Sequence, residues 1–297
     1  MRYNILITSL IATLPALAQE SQFKVGVDYG FMKTKINNPS VVGTMSNFQG
    51  PPNNITFPVS AEYGNPNPLG VDLAYRSGNN ELALEFMTFN KTRSTGYASV
   101  GSLFLTAPEN SPFTNQVKLA ADTVDLKWNH YFPMKQAGTF STSLGLRTAH
   151  FEDKLTGVGS SDSDMVTTDF KTNGYGLLGG IGYSYPFTNR LSLEGDVNLI
   201  LFRASNTSTG SDDGQVYGAG SATVKTNNTF GQTDLRVHLD WKLTRALGAS
   251  VGYRYYNFGK AATTTVPNNW YAVPPAIDQA PTSWRMDGVT LGLSYTF

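Results

Sequence analysis

The sequence predicts an all-β protein that crosses a membrane as an antiparallel up-and-down β-barrel of ten strands, with eight or twelve strands as alternatives. Three observations predict this fold class. An export signal is followed by no apolar segment long enough for a transmembrane helix, ten segments alternate apolar and polar residues, and the connections alternate in length. Short periplasmic turns combined with long extracellular loops are typical of outer-membrane barrels.

Composition narrows the classes of function. The chain has 22 Lys and Arg against 22 Asp and Glu, so it lacks the excess positive charge that nucleic-acid binding requires. Charged residues make up 15% of the chain, whereas ordinary soluble proteins have about 25%. The chain has no cysteine, which excludes disulfides, zinc–thiolate sites, thiol catalysis and a lipidated cysteine.

The N-terminal segment has the three parts of a secretory signal peptide. A positively charged start precedes an apolar stretch over residues 5–14, and Ala16 and Ala18 form the small-x-small pattern that precedes cleavage. The apolar stretch is shorter than the roughly 20 residues of a membrane-spanning helix. We predict cleavage between Ala18 and Gln19, which divides the chain into a signal peptide over residues 1–18 and a barrel over residues 19–297.

Residues 22–32 show the pattern that defines each predicted strand. Odd positions from Phe23 to Phe31 are apolar or aromatic, and the even positions between them are Lys, Gly or Asp. A period of two places these two sets on opposite faces of a strand. Most such segments run to about ten residues or more, the length that a tilted strand needs to cross a bilayer. The pattern recurs, in chain order, at residues 69–76, 81–86, 124–129, 140–147, 176–185, 191–201, 234–243, 247–255 and 289–297.

The connections between these segments have two lengths. Long loops rich in Asn, Ser, Thr and Pro are predicted at residues 35–66, 91–118, 152–173, 204–229 and 258–284. Short turns are predicted at residues 77–80, 133–138, 186–189 and 244–246. Both chain ends then lie on the side of the short turns, as an even number of strands requires. Residues 97–105 also alternate, either as an extension of a neighbouring strand or as an extra hairpin that would give twelve strands.

A soluble β-sandwich also alternates, but two features favour the membrane barrel. The polar faces are largely Gly and Ser with scattered charges, whereas a solvent-exposed face is usually rich in Lys and Glu. Aromatic residues gather near the strand ends, as in the interface girdles of membrane barrels. These residues are Tyr29, Phe31, Tyr75, Trp128, Phe132, Tyr183, Tyr185, Phe187, Trp241, Tyr253, Tyr255 and Tyr295.

Several stretches carry a resemblance to a known family. They are residues 144–155 (LGLRTAHFEDKL), residues 174–201 (GYGLLGGIGYSYPFTNRLSLEGDVNLIL), GYRYYNF, and the C-terminal MDGVTLGLSYTF. Together they resemble the Legionella-type major outer membrane protein family, whose members are pore-forming proteins of the bacterial outer membrane. The last strand, with Tyr295 and the terminal Phe297, is similar to the signal that outer-membrane proteins present to the barrel-assembly machinery. The resemblance therefore implies contact with that machinery, with periplasmic chaperones, and with outer-membrane lipid and lipopolysaccharide; the sequence does not specify an oligomeric state.

The inward faces carry the candidate functional residues. A narrow pore for passive diffusion of small polar solutes or ions would be lined by charges, and nine acids against seven bases would give at most a weak cation preference. The predicted pore-lining residues are Lys24, Asp28, Asp72, Arg76, Glu81, Glu85, Asp125, Lys127, Arg147, Glu194, Asp196, Asp234, Arg236, His238, Asp240, Lys242 and Arg254.

Whether this lumen is open depends on how the charges are arranged. Inward positions of three strands are nearly bare, including Gly176, Gly180 and Gly248, which would leave room for water. The alternative is a closed barrel, a structural or adhesive surface protein in which the charges neutralise one another. Turn geometry makes Arg76–Glu81 and Asp125–Arg147 plausible pairs in that case.

Other chemistry is weakly indicated. The sequence GYGLLG at residues 174–179 matches a dinucleotide fingerprint but lies inside a predicted strand, so we predict no cofactor. Acid clusters at residues 160–164 and 211–214 could bridge lipopolysaccharide but lack a full calcium-loop pattern, so we predict no metal site. His150, with Glu152 and Asp153, is the candidate for a rim-site hydrolase, but no Ser nucleophile accompanies it and we predict no enzyme.

Overall fold

The protein is described here by a computed structural model. The structure describes residues 21–37, 40–45, 53–58, 65–96, 113–134, 138–159, 165–212, 220–260, 264–267, 276–279 and 283–297. Within those ranges, no helix is long and apolar enough to span a membrane.

Ten antiparallel strands form a closed barrel, as the sequence predicts. Each barrel strand pairs with the next barrel strand along the chain, and the barrel closes where the first of them pairs with the last. The barrel strands are β1 (Ser21–Asn37), β4 (Leu69–Ser77), β5 (Asn80–Gly96), β6 (Phe113–Met134), β7 (Gly138–Gly159), β8 (Met165–Pro186), β9 (Leu191–Asp212), β10 (Gly220–Lys242), β11 (Leu247–Lys260) and β14 (Ser283–Thr296).

Each of the ten segments predicted as barrel strands lies, to within one residue, in one of these strands, but the strands are longer than predicted. The strands β6 to β9 have 22 residues each and β10 has 23. The predicted loops at 152–173 and 204–229 are therefore wrong over most of their length, because β7 to β10 continue through them. Thr favours the extended conformation, so a segment rich in Thr can continue a sheet as readily as it can form a loop.

A second sheet is formed by the long connections near the barrel closure. It contains β2 (Ser40–Met45), β3 (Asn53–Pro58), β12 (Thr264–Pro267) and β13 (Ala276–Gln279), in the order β12-β13-β2-β3. The sequence predicts these segments as loop, and that prediction is wrong.

The two faces of the barrel wall have opposite chemistry. Large apolar side chains on the outward face are exposed, as a surface in contact with lipid requires. Examples from four different strands are Leu84, Leu144, Leu177 and Leu293. The buried apolar side chains, such as Phe202 and Met286, lie on the inward face, so the hydrophobic core is inside the barrel.

The chain end completes the closure of the wall. Tyr295 pairs with Val25, and the backbone N–H of Phe297 donates to the carbonyl oxygen of Phe23 at 2.9 Å. The rings of Phe23 and Phe297 lie 5.8 Å apart on the outward face. An assembly signal at Tyr295 and Phe297 stays a prediction, since the structure shows only that both side chains are exposed at the end of the last strand.

Several predictions lie outside the described residues. They concern the signal peptide and its cleavage site, the alternating segment 97–105, the acid cluster at 160–164, and the second half of the cluster at 211–214.

Candidate functional site

The residues predicted to line a pore lie on the inward face of the barrel strands. The strand face that carries them is the face that carries the buried core, and many of them border a common cavity. Lys242 shares this face but lies exposed at the periplasmic end of β10. From the periplasmic side outward, the lumen has three layers, which we call the vestibule, the charged layer and the apolar layer.

The vestibule is a cavity of about 380 Å³ at the periplasmic end of the barrel. Its wall includes Lys24, Arg76, Glu194 and His238, together with the small side chains of Ser141 and its neighbours. Some of the small inward Gly and Ser residues noted in the sequence lie here, and at this end of the barrel they do leave open space.

Farther into the barrel, side chains of the neighbouring strand lie over the small inward residues. A side chain at Gly176 would meet the Cγ2 atom of Ile200 at 2.7 Å, and a side chain at Gly180 would meet the amide of Asn198. These glycines therefore accommodate side chains of the neighbouring strand instead of widening the bore. The room for water that these small residues predict is therefore taken up by Ile200 and Asn198 at this level.

The charged layer is centred on Arg147, whose side chain is 0% exposed. Its Nε atom donates to Asp125 Oδ1 at 2.6 Å and its Nη2 atom to Asp125 Oδ2 at 2.5 Å, which is the two-pronged geometry of a strong arginine–carboxylate pair. It also donates to the hydroxyl of Tyr256 on the far wall and lies 3.4 Å from Asp234 Oδ2. Asp125–Arg147 is one of the two pairs that the sequence made plausible.

Two further arginines extend this layer across the bore. Arg254 donates to both carboxylate oxygens of Asp234, at 3.0 and 2.7 Å. Arg236 donates to Asp196 at 3.0 Å and lies 3.1 Å from Glu85, which also pairs with Lys127. The layer thus joins four carboxylates to four cationic groups: Glu85, Asp125, Asp196 and Asp234 with Lys127, Arg147, Arg236 and Arg254.

The eight charged groups of this network neutralise one another inside the lumen. An ion taken out of water costs several kcal/mol unless a partner and hydrogen bonds replace its hydration. Here Arg147 and Asp234 are 0% exposed and each has such partners. The network therefore spans the bore with paired, buried charges at this level.

The second predicted pair has a different arrangement. Arg76 and Glu81 are opposite in register, but Arg76 lies over the ring of Tyr131 at 4.1 Å and donates to the carbonyl of Gly78. Glu81 accepts hydrogen bonds from Asn129 and Tyr131. These residues line the vestibule, where water can reach them.

The apolar layer lies above the charged layer, on the side of the long loops. Phe151 is at its centre, with ring centroids 4.6 Å from Phe258, 5.8 Å from Trp284 and 6.3 Å from Phe202. Other buried members of the layer are Met32, Met87, Phe89, Leu119, Leu178, Ile200 and Met286. This layer is a hydrophobic core inside the barrel.

Sequence reasoning missed the apolar layer although a signal was present. In the run 199–202, Leu-Ile-Leu-Phe, both faces of β9 are apolar at once. Extending the inward parity of β9 past Asn198 leads to Ile200 and Phe202, which are 2% and 0% exposed. The predicted strands end where the outward residues cease to be apolar. The inward side chains beyond that point are therefore not predicted to lie in the lumen.

The three histidines lie in different surroundings. His150 shares the outward face of β7, and its Nδ1 atom is 2.7 Å from Asn173 Oδ1. His130 is likewise paired with an amide, that of Asn80, at 2.8 Å. His238 lies in the vestibule between two carboxylates, 3.5 Å from Glu194 Oε2 and 3.0 Å from Asp240 Oδ2.

Glu152, the predicted acidic partner of His150, belongs to an ion cluster on the outward face. It lies above the lipid-facing residues and accepts a hydrogen bond from Lys118 at 2.5 Å, with Lys171 at 3.7 Å. The hydrogen bond from Lys118 holds the pKa of Glu152 below its usual value. A carboxylate held ionised in this way is a poor proton acceptor for catalysis.

Comparison with known proteins agrees with the barrel architecture. The outer membrane protease OmpT of Escherichia coli has 12% sequence identity and a TM-score of 0.57, with 94% of this chain and 98% of that chain covered. At this identity the likeness shows a shared fold and no more. A major outer membrane protein from Thermus thermophilus matches at 14% identity and a TM-score of 0.38, with 93% of this chain and 99% of that chain covered.

Family membership follows from a comparison with protein-family models. No individual curated protein matches the sequence. A family model described as the Legionella pneumophila major outer membrane protein precursor matches residues 13–297. Because this match covers nearly the whole chain, the protein belongs to the Legionella pneumophila major outer membrane protein family and is a β-barrel of the bacterial outer membrane.

Proposed function

We propose that this protein is a closed outer-membrane barrel that acts at the cell surface as a structural or adhesive protein. The observation that carries the proposal is the double closure of the lumen. Arg147 and Asp234 in the charged layer, and Tyr256 and Phe202 beside and above them, are each 0% exposed. A water-filled passage would leave at least some of these side chains accessible.

In this proposal, side chains of the barrel strands themselves close the lumen. The side chains of both layers come from the barrel strands and are held by ion pairs and aromatic contacts, as the link from Arg147 on β7 to Tyr256 on β11 shows. Opening the bore would require breaking buried ion pairs, and a charge left without its partner in such a place costs about 3–5 kcal/mol. This cost favours the closed state.

The proposed surface role is supported by the part of the sheet outside the lipid. On β9 the outward residues are apolar as far as Leu201 and polar from Arg203 onward, yet the strand continues to Asp212. A tilted strand needs only about 9–11 residues to cross the hydrocarbon core, whereas β9 has 22. About half of the strand is therefore available to a surface function.

A gated pore for small polar solutes or ions is the second candidate. The vestibule favours it, because a charged cavity of about 380 Å³ open to the periplasm is what one half of such a pore would look like. In this candidate the charged layer is the gate, and the predicted lining residues determine the ion selectivity.

Single-channel recording in planar bilayers separates the two candidates. Refolded wild-type protein is expected to give no stepwise currents, whereas a variant with Phe151→Gly, Phe202→Gly and Arg147→Ser is expected to conduct. A variant with Tyr175→Gly, Leu177→Gly and Leu199→Gly removes outward side chains that are at least 61% exposed and is the matched control. Stepwise currents from the wild type would reject the closed barrel in favour of the pore.

A cellular comparison tests the surface role. A strain that lacks the protein is expected to take up small polar solutes at the normal rate but to change in surface attachment or envelope stability. Reduced solute uptake with unchanged attachment and envelope would reject the surface role.

The proposal assigns no catalysis to the barrel. It is supported by the outward position of His150, its amide partner Asn173, and the pairing of Glu152 with Lys118. A hydrolytic activity of the purified protein that is lost on His150→Ala would overturn this part of the proposal.

A further inference from the structure

Three side chains with metal-binding groups meet on one wall of the vestibule. His238 of β10 is directly opposite Glu194 of β9, and Asp240 is two residues farther along β10 on the same face. One ligand atom from each of the three lies within 4.8 Å of the other two. The sequence predicts no metal site, and these three residues form no local motif because Glu194 lies 44 positions before His238 and 46 before Asp240.

The spacing of the ligand atoms suits a small divalent cation. Bonds of about 2.0–2.1 Å in a tetrahedron place neighbouring ligand atoms roughly 3.3 Å apart. The Nε2 atom of His238 lies 3.0 Å from Asp240 Oδ2 and 3.5 Å from Glu194 Oε2, close to this value on both sides. One imidazole and two carboxylates form a ligand set that zinc accepts, with a fourth position left for water.

The geometry between Asp240 and His238 supports a metal ion bound by both side chains. Asp240 Oδ2 is buried, and within the described structure it has no hydrogen-bond partner of acceptable geometry, although His238 Nε2 is only 3.0 Å away. A proton shared by the two atoms would favour a direct, well-aligned hydrogen bond. A metal ion would instead lie off the line between them and contact both.

The charge of the three groups suits a divalent cation. Two carboxylates and a neutral imidazole carry two negative charges, which one divalent cation neutralises. The environment is also suitable: Ser184 Oγ donates to Glu194 Oε1 at 3.2 Å and leaves Oε2 directed at the site. The vestibule provides access from the periplasm.

We propose that Glu194, His238 and Asp240 bind one divalent transition-metal ion of the zinc class in the vestibule. The site requires only the inward orientation of β9 and β10, so it is independent of whether the barrel conducts. Bound metal links the two strands at their periplasmic ends and neutralises the carboxylates on that wall.

Calorimetric titration of the refolded, detergent-solubilised protein with ZnCl₂ tests the site. The protein must carry no histidine tag, because the chain has only three histidines. We expect one bound zinc ion per chain. Loss of a group that orients a metal ligand typically weakens binding by about 10- to 100-fold, so Ser184→Ala is expected to lie in this range. His238→Ala, Asp240→Asn and Glu194→Gln remove ligands and are expected to weaken binding more.

Matched controls and a second measurement keep the result decisive. His130→Ala and His150→Ala remove outward imidazoles and are expected to bind zinc as the wild type does. Heat-modifiable gel mobility shows that each variant is folded, and the visible absorption of bound Co²⁺ reports four-coordinate geometry. Absence of binding, or binding that survives both His238→Ala and Asp240→Asn in folded protein, would overturn the proposal.

Discussion

At the scale of single residues, Arg147 is the centre of the charged layer in the lumen. It is fully buried, it binds Asp125 through two hydrogen bonds, and it reaches Tyr256 on the opposite wall. A buried arginine of this kind is tolerated because each of its three nitrogen atoms donates at least one hydrogen bond. The side chain therefore joins β7 to a strand with which β7 forms no backbone pairing.

We predict that Arg147→Met lowers the free energy of unfolding by about 3–5 kcal/mol, because it leaves Asp125 as a buried charge without its main partner. Urea unfolding in detergent micelles, followed by tryptophan fluorescence, measures the change. Arg190→Met, in an exposed turn, is the matched control and is expected to unfold as the wild type does. Adding Asp125→Asn to Arg147→Met should recover part of the loss. A single variant as stable as the wild type would contradict the prediction.

How far the sequence predicts individual residues depends on the range of their contacts. Strand parity predicts the inward direction of Asp125 and Arg147, and the turn at 133–138 predicts that they are opposite. The contact of Arg147 with Tyr256, 109 residues away, could not be predicted in this way. It depends on the width of the barrel and on which side chains reach across it, and neither follows from alternation along a single strand.

At the scale of elements, the membrane-spanning part of each strand was predictable and the outer part was not. Inside the membrane, lipid requires an apolar outward face and the alternation is strong. Above the lipid the outward face contacts polar surroundings. The outward positions of β9 therefore change from Leu201 to Arg203, Ser205 and Thr207. The pattern that identifies a strand then fades while the backbone pairing of β9 with β10 continues to Asp212.

Gly259 marks an irregularity in this regular wall. The register between β11 and β14 shifts between Asn257 and Gly259, and Gly259 has a φ of 79°. This backbone conformation is costly for any residue with a Cβ atom. A Cβ atom at this position would also meet the carbonyl oxygen of Gly231 and the ring of Phe230.

We predict that Gly259→Val destabilises the folded barrel by about 1–3 kcal/mol or more, from the strained φ together with the close contacts. The same urea titration measures it. Gly231→Ala is the matched control on the neighbouring strand, because its added Cβ atom would have no heavy atom within 4 Å. Equal loss of stability in both variants would mean that the bulge does not require glycine.

At the scale of the whole molecule, the barrel has two apolar surfaces with different functions. The outward surface faces lipid, as the exposed Leu144 and Leu199 show, and the inward apolar layer around Phe151 and Phe202 fills the lumen like the core of a soluble protein. A narrow barrel makes this possible, since few strands bring opposite walls within reach of large side chains. The sequence predicts the outward surface from alternation, but the inner core required the assembled barrel.

Tryptophan fluorescence distinguishes the two surfaces, because the chain carries tryptophan on both. Trp241 is 56% exposed on the outward face, whereas Trp284 is 5% exposed in the apolar layer. We predict that brominated lipid strongly quenches the fluorescence of a variant that retains only Trp241. The fluorescence of a variant that retains only Trp284 should remain nearly unchanged. In both variants the other tryptophans are replaced by Phe. A Trp128-only variant, 49% exposed on the outward face, is the matched control and should be quenched like Trp241. If Trp284 were quenched as strongly as Trp241, lipid would have access to the residues that close the lumen, and the assignment of inner and outer faces would be wrong.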